Sequence, residues 1–117
     1  MMTLGQQRIA IAEKMGWYKF DNSKSGDGYM WERVIGNSTI RIHEVNLPNF
    51  PESLDAMHSF LITLSLEDLV GIARQLEKML NLFMATSDYA IAWLLRAKSE
   101  HTCEAACRYF YPEKWKE

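Results

Sequence analysis

Tyr29-Met30-Trp31-Glu32-Arg33-Val34-Ile35-Gly36-Asn37-Ser38-Thr39-Ile40-Arg41-Ile42-His43 is the stretch that decides the fold. Two runs rich in aromatic and β-branched residues, Tyr29 to Ile35 and Thr39 to His43, read as strands because such side chains pack well on a pleated surface. Gly36-Asn37 between them can adopt the positive φ angles of a tight turn, so the two runs form an antiparallel hairpin. Alternation places Tyr29, Trp31, Arg33 and Ile35 on one face and Met30, Glu32 and Val34 on the other, with Ile40 and Ile42 sharing a face of the third strand. One face of such a sheet requires a cover of helices.

Upstream, Trp17-Tyr18-Lys19-Phe20 supplies another strand, and the polar segment Asp21 to Gly28 is the loop that returns the chain. Before it, Leu4, Ile9, Ile11, Ala12 and Met15 form a stripe at near-helical spacing, which leaves Gln6, Gln7, Glu13 and Lys14 to solvent. Gly16 ends that helix, since glycine tolerates the left-handed conformation common at helix ends. Downstream, Leu47-Pro48-Asn49-Phe50-Pro51 cannot continue a central strand because its prolines lack amide donors. Leu54, Met57, His58, Leu61 and Ile62 then recur at helical spacing, with Pro51 at or near the first turn. Ser65-Leu66-Glu67-Asp68 has the Ser and acid spacing of a capping box ahead of Leu69, Val70, Ala73, Leu76, Met79, Leu80 and Phe83. Thr102-Cys103-Glu104-Ala105 opens a last helix with Cys103, Ala106, Cys107 and Phe110 as its apolar positions, closed by Pro112. Tyr89 to Leu95 is a compact apolar run that periodicity assigns neither to strand nor to helix. The expected class is α+β, a small antiparallel sheet of three to four strands packed between helices, in one domain spanning residues 1–117.

The 117 residues carry a formal charge of −2, with 48% hydrophobic and 24% charged side chains, which excludes disordered and fibrous classes. A sequence pI near 5.9 argues against a nucleic-acid partner, whose phosphates demand clustered Lys and Arg. No apolar run reaches the roughly 18 residues that span a bilayer, and the N-terminus lacks the features of a secretory signal, so the expected location is cytoplasmic, without a membrane partner. Cys103 and Cys107 lie one helical turn apart and read as reduced, buried thiols.

Several of these residues together resemble the phage ABA-sandwich domain group: Gly16-Trp17, the strand carrying Trp31, Leu47-Pro48-Asn49-Phe50, the helix start Leu54-Asp55-Ala56-Met57-His58, and a last helix of the form Ala-Thr-x-x-x-Ala-Glu-Ala ending at a tryptophan. Lys98 to Cys107 keeps only part of that last pattern. The resemblance implies a small antiparallel sheet between helical layers, a bacteriophage or prophage origin, and a strand over Tyr89 to Ala97 that returns to the sheet. It brings no catalytic residue. It implies a role in host takeover or counter-defence, in the cytoplasm of the host cell.

Few side chains suggest chemistry. Asp55 and His58 share a helical face, where a carboxylate can orient an imidazole for proton transfer, but the same pair equally makes a structural contact that satisfies a buried imidazole, which is the preferred reading. His101 with Cys103 and Cys107 lacks a fourth zinc ligand at a usual spacing, so no metal is expected. Ser25-Gly26-Asp27-Gly28 lacks the lysine and setting of a phosphate loop. No cofactor is implied, and an enzyme is the lesser reading. Aromatic residues are numerous for a small core, and exposed rings beside Arg33, Arg41 and Arg108 would grip a partner protein or a stacked base. The bland reading is that these rings fill gaps under a short sheet. The resulting expectation is a non-enzymatic binding protein acting on a host protein, with Trp31, Arg33, Arg41, Asp55, His58, Tyr111 and Trp115 as candidate contact residues. The alternative is a protein that binds or sequesters a small nucleotide-type ligand through Trp31, Arg33 and Arg41. Tyr109 to Trp115 equally suits a contact in a homo-oligomer.

Overall fold

The computed structural model describes residues 1–26, 28–81, 92, 94 and 96–115, with backbone alone over 21–25. The element order is α1 (Leu4–Lys14), β1 (Tyr18–Ser25), β2 (Gly28–Ile35), β3 (Ser38–His43), α2 (Leu54–Leu61), α3 (Leu66–Leu80) and α4 (Ser99–Phe110), with 3-10 turns at Glu44–Asn46 and Pro112–Lys114. The class is α+β, and the sheet is antiparallel with strand order β1-β2-β3.

The hairpin pairs Ile35 with Ser38 and Trp31 with Ile42, so the turn is Gly36-Asn37 and the face assignment of the sequence holds. Gly36 alone of the two turn residues takes a positive φ, 58°. Trp31 faces the core with Tyr29 and Ile42. β1 is longer than expected: Asp21 to Ser25, whose polarity suggested a loop, is extended and pairs with β2 through register shifts on either side of Asp21. The ladder's backbone bonds override the weak strand propensity of Asp, Asn and Ser.

α4 lies at the centre of the helical layer, packed on α1, α2 and α3. Its buried residues are Thr102, Cys103, Ala105, Ala106 and Cys107, small side chains on most of its circumference. That composition lets three helices approach one axis. Thr102 does not open this helix. The helix begins one turn earlier, and the Thr102 hydroxyl donates to the Lys98 carbonyl at 3.3 Å. Phe60 makes edge-to-face contacts with Phe50 and Phe110, centroids 6.4 and 6.2 Å apart, which ties the crossover segment to α2 and α4.

Ser65 caps α3 as its spacing predicts, and Thr3 and Ser53 add two caps that the sequence reading had not singled out. The Thr3 hydroxyl and the Gln6 side chain form a reciprocal capping box, the Ser53 hydroxyl accepts from the Ala56 amide, and the Ser65 hydroxyl accepts from the Asp68 amide. Gly16, at φ 97°, follows α1 as expected. Four burial assignments change. Gln7 is buried rather than solvated, whereas Leu4, Leu54 and Ile62 are exposed, Ile62 by 84%, so α2 buries Met57, Phe60 and Leu61. Ala92, Leu94 and Arg96 are helical, which removes the expected strand at those positions; the rest of 89–95, and Phe83, lie outside the described residues. Leu94 is buried in the core.

Arg8 joins the two layers. From α1 its guanidinium donates to the carbonyls of Val45 (3.0 Å), Leu47 and Pro48 (3.3 Å), closing the irregular crossover against the first helix. The radius of gyration, 15.0 Å, exceeds the roughly 13 Å of a compact chain of this length. The far end of the sheet is open to water, with Val34, Ile35 and all of Ser38 to Arg41 exposed.

Candidate functional site

A sheet whose far end leaves the core carries its side chains into water on both faces. Register then dictates which of them meet. Tyr18 pairs with Glu32, and Glu32 pairs with Arg41, so these three stand in one row across the face opposite Trp31. Phe20 occupies the register shift between Lys19 and Asp21 and joins that face, where the Arg41 guanidinium lies 3.9 Å from its ring centroid. Arg41 Nε stands 3.9 Å from Glu32 Oε1, with the Arg41 side chain 53% exposed and that of Glu32 10% exposed. The Tyr18 hydroxyl is pushed above its ordinary pKa, first by local desolvation and then by the Glu32 carboxylate, while Arg41 opposes the shift. Tyr18 and Phe20 themselves remain exposed.

Arg33 pairs with Ile40 and therefore points to the opposite face from Arg41. It makes no hydrogen bond or ion pair among the described residues. Trp31 shares the face of Arg33 but is 2% exposed, its indole Nε1 donating to Glu44 Oε1 at 3.0 Å. The trio Trp31, Arg33 and Arg41 thus forms no common pocket: one ring is in the core and the two cations lie on opposite sides of the sheet. Trp31 edges a shallow cleft of about 350 Å³ with Trp17, Tyr18, Lys19 and Glu13. There Lys19 Nζ lies 4.1 Å from the Tyr29 ring centroid and 6.0 Å from that of Trp31.

Asp55 and His58 do not pair. Asp55 is exposed in the first turn of α2, where its charge complements the helix dipole, and no hydrogen bond or ion pair links it to His58. His58 Nε2 is buried without a hydrogen-bond partner, as is His43 Nδ1. The structural contact preferred from the sequence is therefore absent along with the catalytic one.

Tyr111 and Trp115 turn inward. The Tyr111 hydroxyl donates to the Ala10 carbonyl at 3.4 Å, its pKa raised by burial and then by Glu13. Arg108 lies 4.3 Å from the Trp115 ring centroid and bonds Glu104 at 3.0 Å, so cation and ring hold each other. Both aromatics pack against the core. With Met1, Met2, Gln6, Ile9, Ala10, Glu13 and Lys114, Tyr111 lines an open cleft of about 430 Å³ along α1.

Cys103 and Cys107 are buried and unbridged, and the Cys103 thiol is pushed far up by the neighbouring Cys107 and by burial, which holds it protonated and unreactive. Among the described residues no group of three His, Cys, Asp or Glu side chains is placed to hold a metal, and no helix is long and apolar enough to cross a membrane. What the sequence reading missed is Phe20 and Glu32, because the bulge that turns Phe20 beside Arg41 leaves no trace in residue types. Arg41 was legible as a cation on a strand, and only the register identified its neighbours. In comparison with known proteins, no family model, curated protein or solved structure matches this chain.

Proposed function

We propose that the protein is a non-enzymatic binding protein that occupies the surface of a protein partner with the open end of its β2–β3 hairpin. The observation that carries this reading is the exposure of Val34 (56%), Ile35 (47%) and Ile40 (40%) at one end of the sheet. β3 is there an edge strand, with no further strand paired to it among the described residues. Large apolar side chains beside an unpaired edge favour association, by covering apolar area and by adding a strand to the ladder. Acid–base chemistry has no comparable support, since its one candidate pair, Asp55 and His58, shares no hydrogen bond or ion pair.

The resemblance to phage ABA-sandwich proteins makes a host protein the partner we propose, engaged in the host cytoplasm for takeover or counter-defence. The test uses wild-type protein and the double variant V34K/I40K as matched baits in host lysate, with folding verified by circular dichroism. Both positions are exposed, so the variant should keep stability within about 0.5 kcal/mol. A defined partner held by the wild type and lost by the variant supports the hairpin as the contact. Equal retention by both baits refutes it.

A further inference from the structure

We propose that Tyr18, Phe20 and Glu32 form a cradle for a lysine or arginine side chain of a basic partner segment, and that Arg41 is its resident placeholder, displaced on binding. The proposal rests on the hairpin-docking reading above and names the chemistry of the partner. Its basis is the unequal burial of the two charges. Glu32 is 8% exposed, a carboxylate largely removed from water, and its cation stands at 3.9 Å, well beyond the roughly 3.2 Å limit of a hydrogen bond. A buried carboxylate is costly without a closely held cation. Arg41, by contrast, keeps half its side chain in water and leans on the ring of Phe20.

The resident arginine also displays what the cradle accepts. A planar cation already rests on an aromatic face above a carboxylate, and the rings of Tyr18 and Phe20 keep further area exposed for an incoming side chain to cover. Arg41 sits on an edge strand with solvent beyond it, so it can swing away without disturbing the ladder. A cation delivered by a partner strand along β3 would enter the same row. An acidic partner would instead pair with Arg41 and leave the carboxylate of Glu32 beneath it, as it is now, without a close cation.

The probe is Nα-acetyl-arginine methylamide, titrated into the full chain while the ring proton resonances of Tyr18 and Phe20 are followed by NMR, with Nα-acetyl-glutamate methylamide as the anionic counterpart. Arg41→Gln empties the cradle and should bind the cationic probe about tenfold more tightly than wild type, the equivalent of one exposed cation–π contact plus one surface ion pair. Adding Glu32→Gln, or Phe20→Leu, to that background should remove the gain; Phe20→Leu guards against a fold defect because it alters only an exposed position. The proposal is overturned if Arg41→Gln binds the cationic probe no better than wild type, if Glu32→Gln retains the gain, or if wild type prefers the anionic probe. Failure of these titrations with loss of the partner by V34K/I40K would discard the cradle and leave the hairpin reading standing.

Discussion

Replacing Gly71 by alanine should destabilise the protein, against the usual direction for a glycine inside a helix. Gly71 lies in α3 where the Tyr109 ring of α4 crosses it, and an added Cβ would stand 2.1 Å from Cε1 and 2.6 Å from Cδ1 of that ring. To reach an ordinary contact near 3.4 Å the ring must retreat by about 1.3 Å. Two contacts resist: the Tyr109 hydroxyl donates to Asp68 Oδ1 at 3.0 Å, and the ring meets Phe110 edge-on with centroids 4.9 Å apart. Overpacking of this kind costs about 1–3 kcal/mol, and losing the bond to Asp68 about 1.5 kcal/mol, while alanine returns about 1 kcal/mol of helix propensity. The net loss is therefore roughly 2 kcal/mol, a fall of about 8 °C in Tm for a domain of this size. Urea and thermal unfolding followed at 222 nm measure it. The same substitution in a Tyr109→Ala background should cost nothing or stabilise, since the clash has gone. Equal or higher stability for Gly71→Ala in the wild-type background would refute the packing argument.

Three further outcomes follow from single contacts. Arg8→Met keeps the apolar stem but strands the carbonyls of Val45, Leu47 and Pro48, and should cost about 2 kcal/mol in urea unfolding. His58→Leu replaces a buried, unpartnered Nε2 with apolar surface and should raise stability by about 1 kcal/mol, measured in the same assay. The hydroxyls of Tyr18, Tyr109 and Tyr111 all have folded pKa values raised above 10.0. For such groups the folded state holds protons that the unfolded state releases, so their stabilisation is whole below pH 10 and is lost as pH climbs through the folded values. The midpoint in urea should accordingly fall as pH rises above 10, and Tyr109→Phe should flatten that fall, with phenolate absorbance at 295 nm as the companion readout.

Local chemistry made much of this architecture readable. The alternation of Tyr29 to Ile35, the glycine at position 36 and the cap at Ser65 each act within a few residues, so residue types suffice to place a hairpin and the start of α3. The failures share one cause. Asp21 to Ser25 joins β1 because a partner strand supplies its hydrogen bonds, Ala92, Leu94 and Arg96 are helical where an apolar run read equally well as strand, and Gln7 is buried because α4 lies over it, with Cys107 Sγ 3.9 Å from its carbonyl oxygen. In each case a distant segment overrides a weak local preference.

The candidate site divides in the same way. Residue types alone placed aromatic strands in this chain and put Arg33 and Arg41 on them. Tertiary structure alone decided that Arg33 and Arg41 face apart, that Trp31 belongs to the core with Tyr111 and Trp115 half-buried against it, and that Phe20 and Glu32 complete the row around Arg41. The physical reason is that residue type fixes what a side chain can bind, whereas its company depends on strand register and on a bulge, and a shift of one residue moves a side chain to the other face of the sheet.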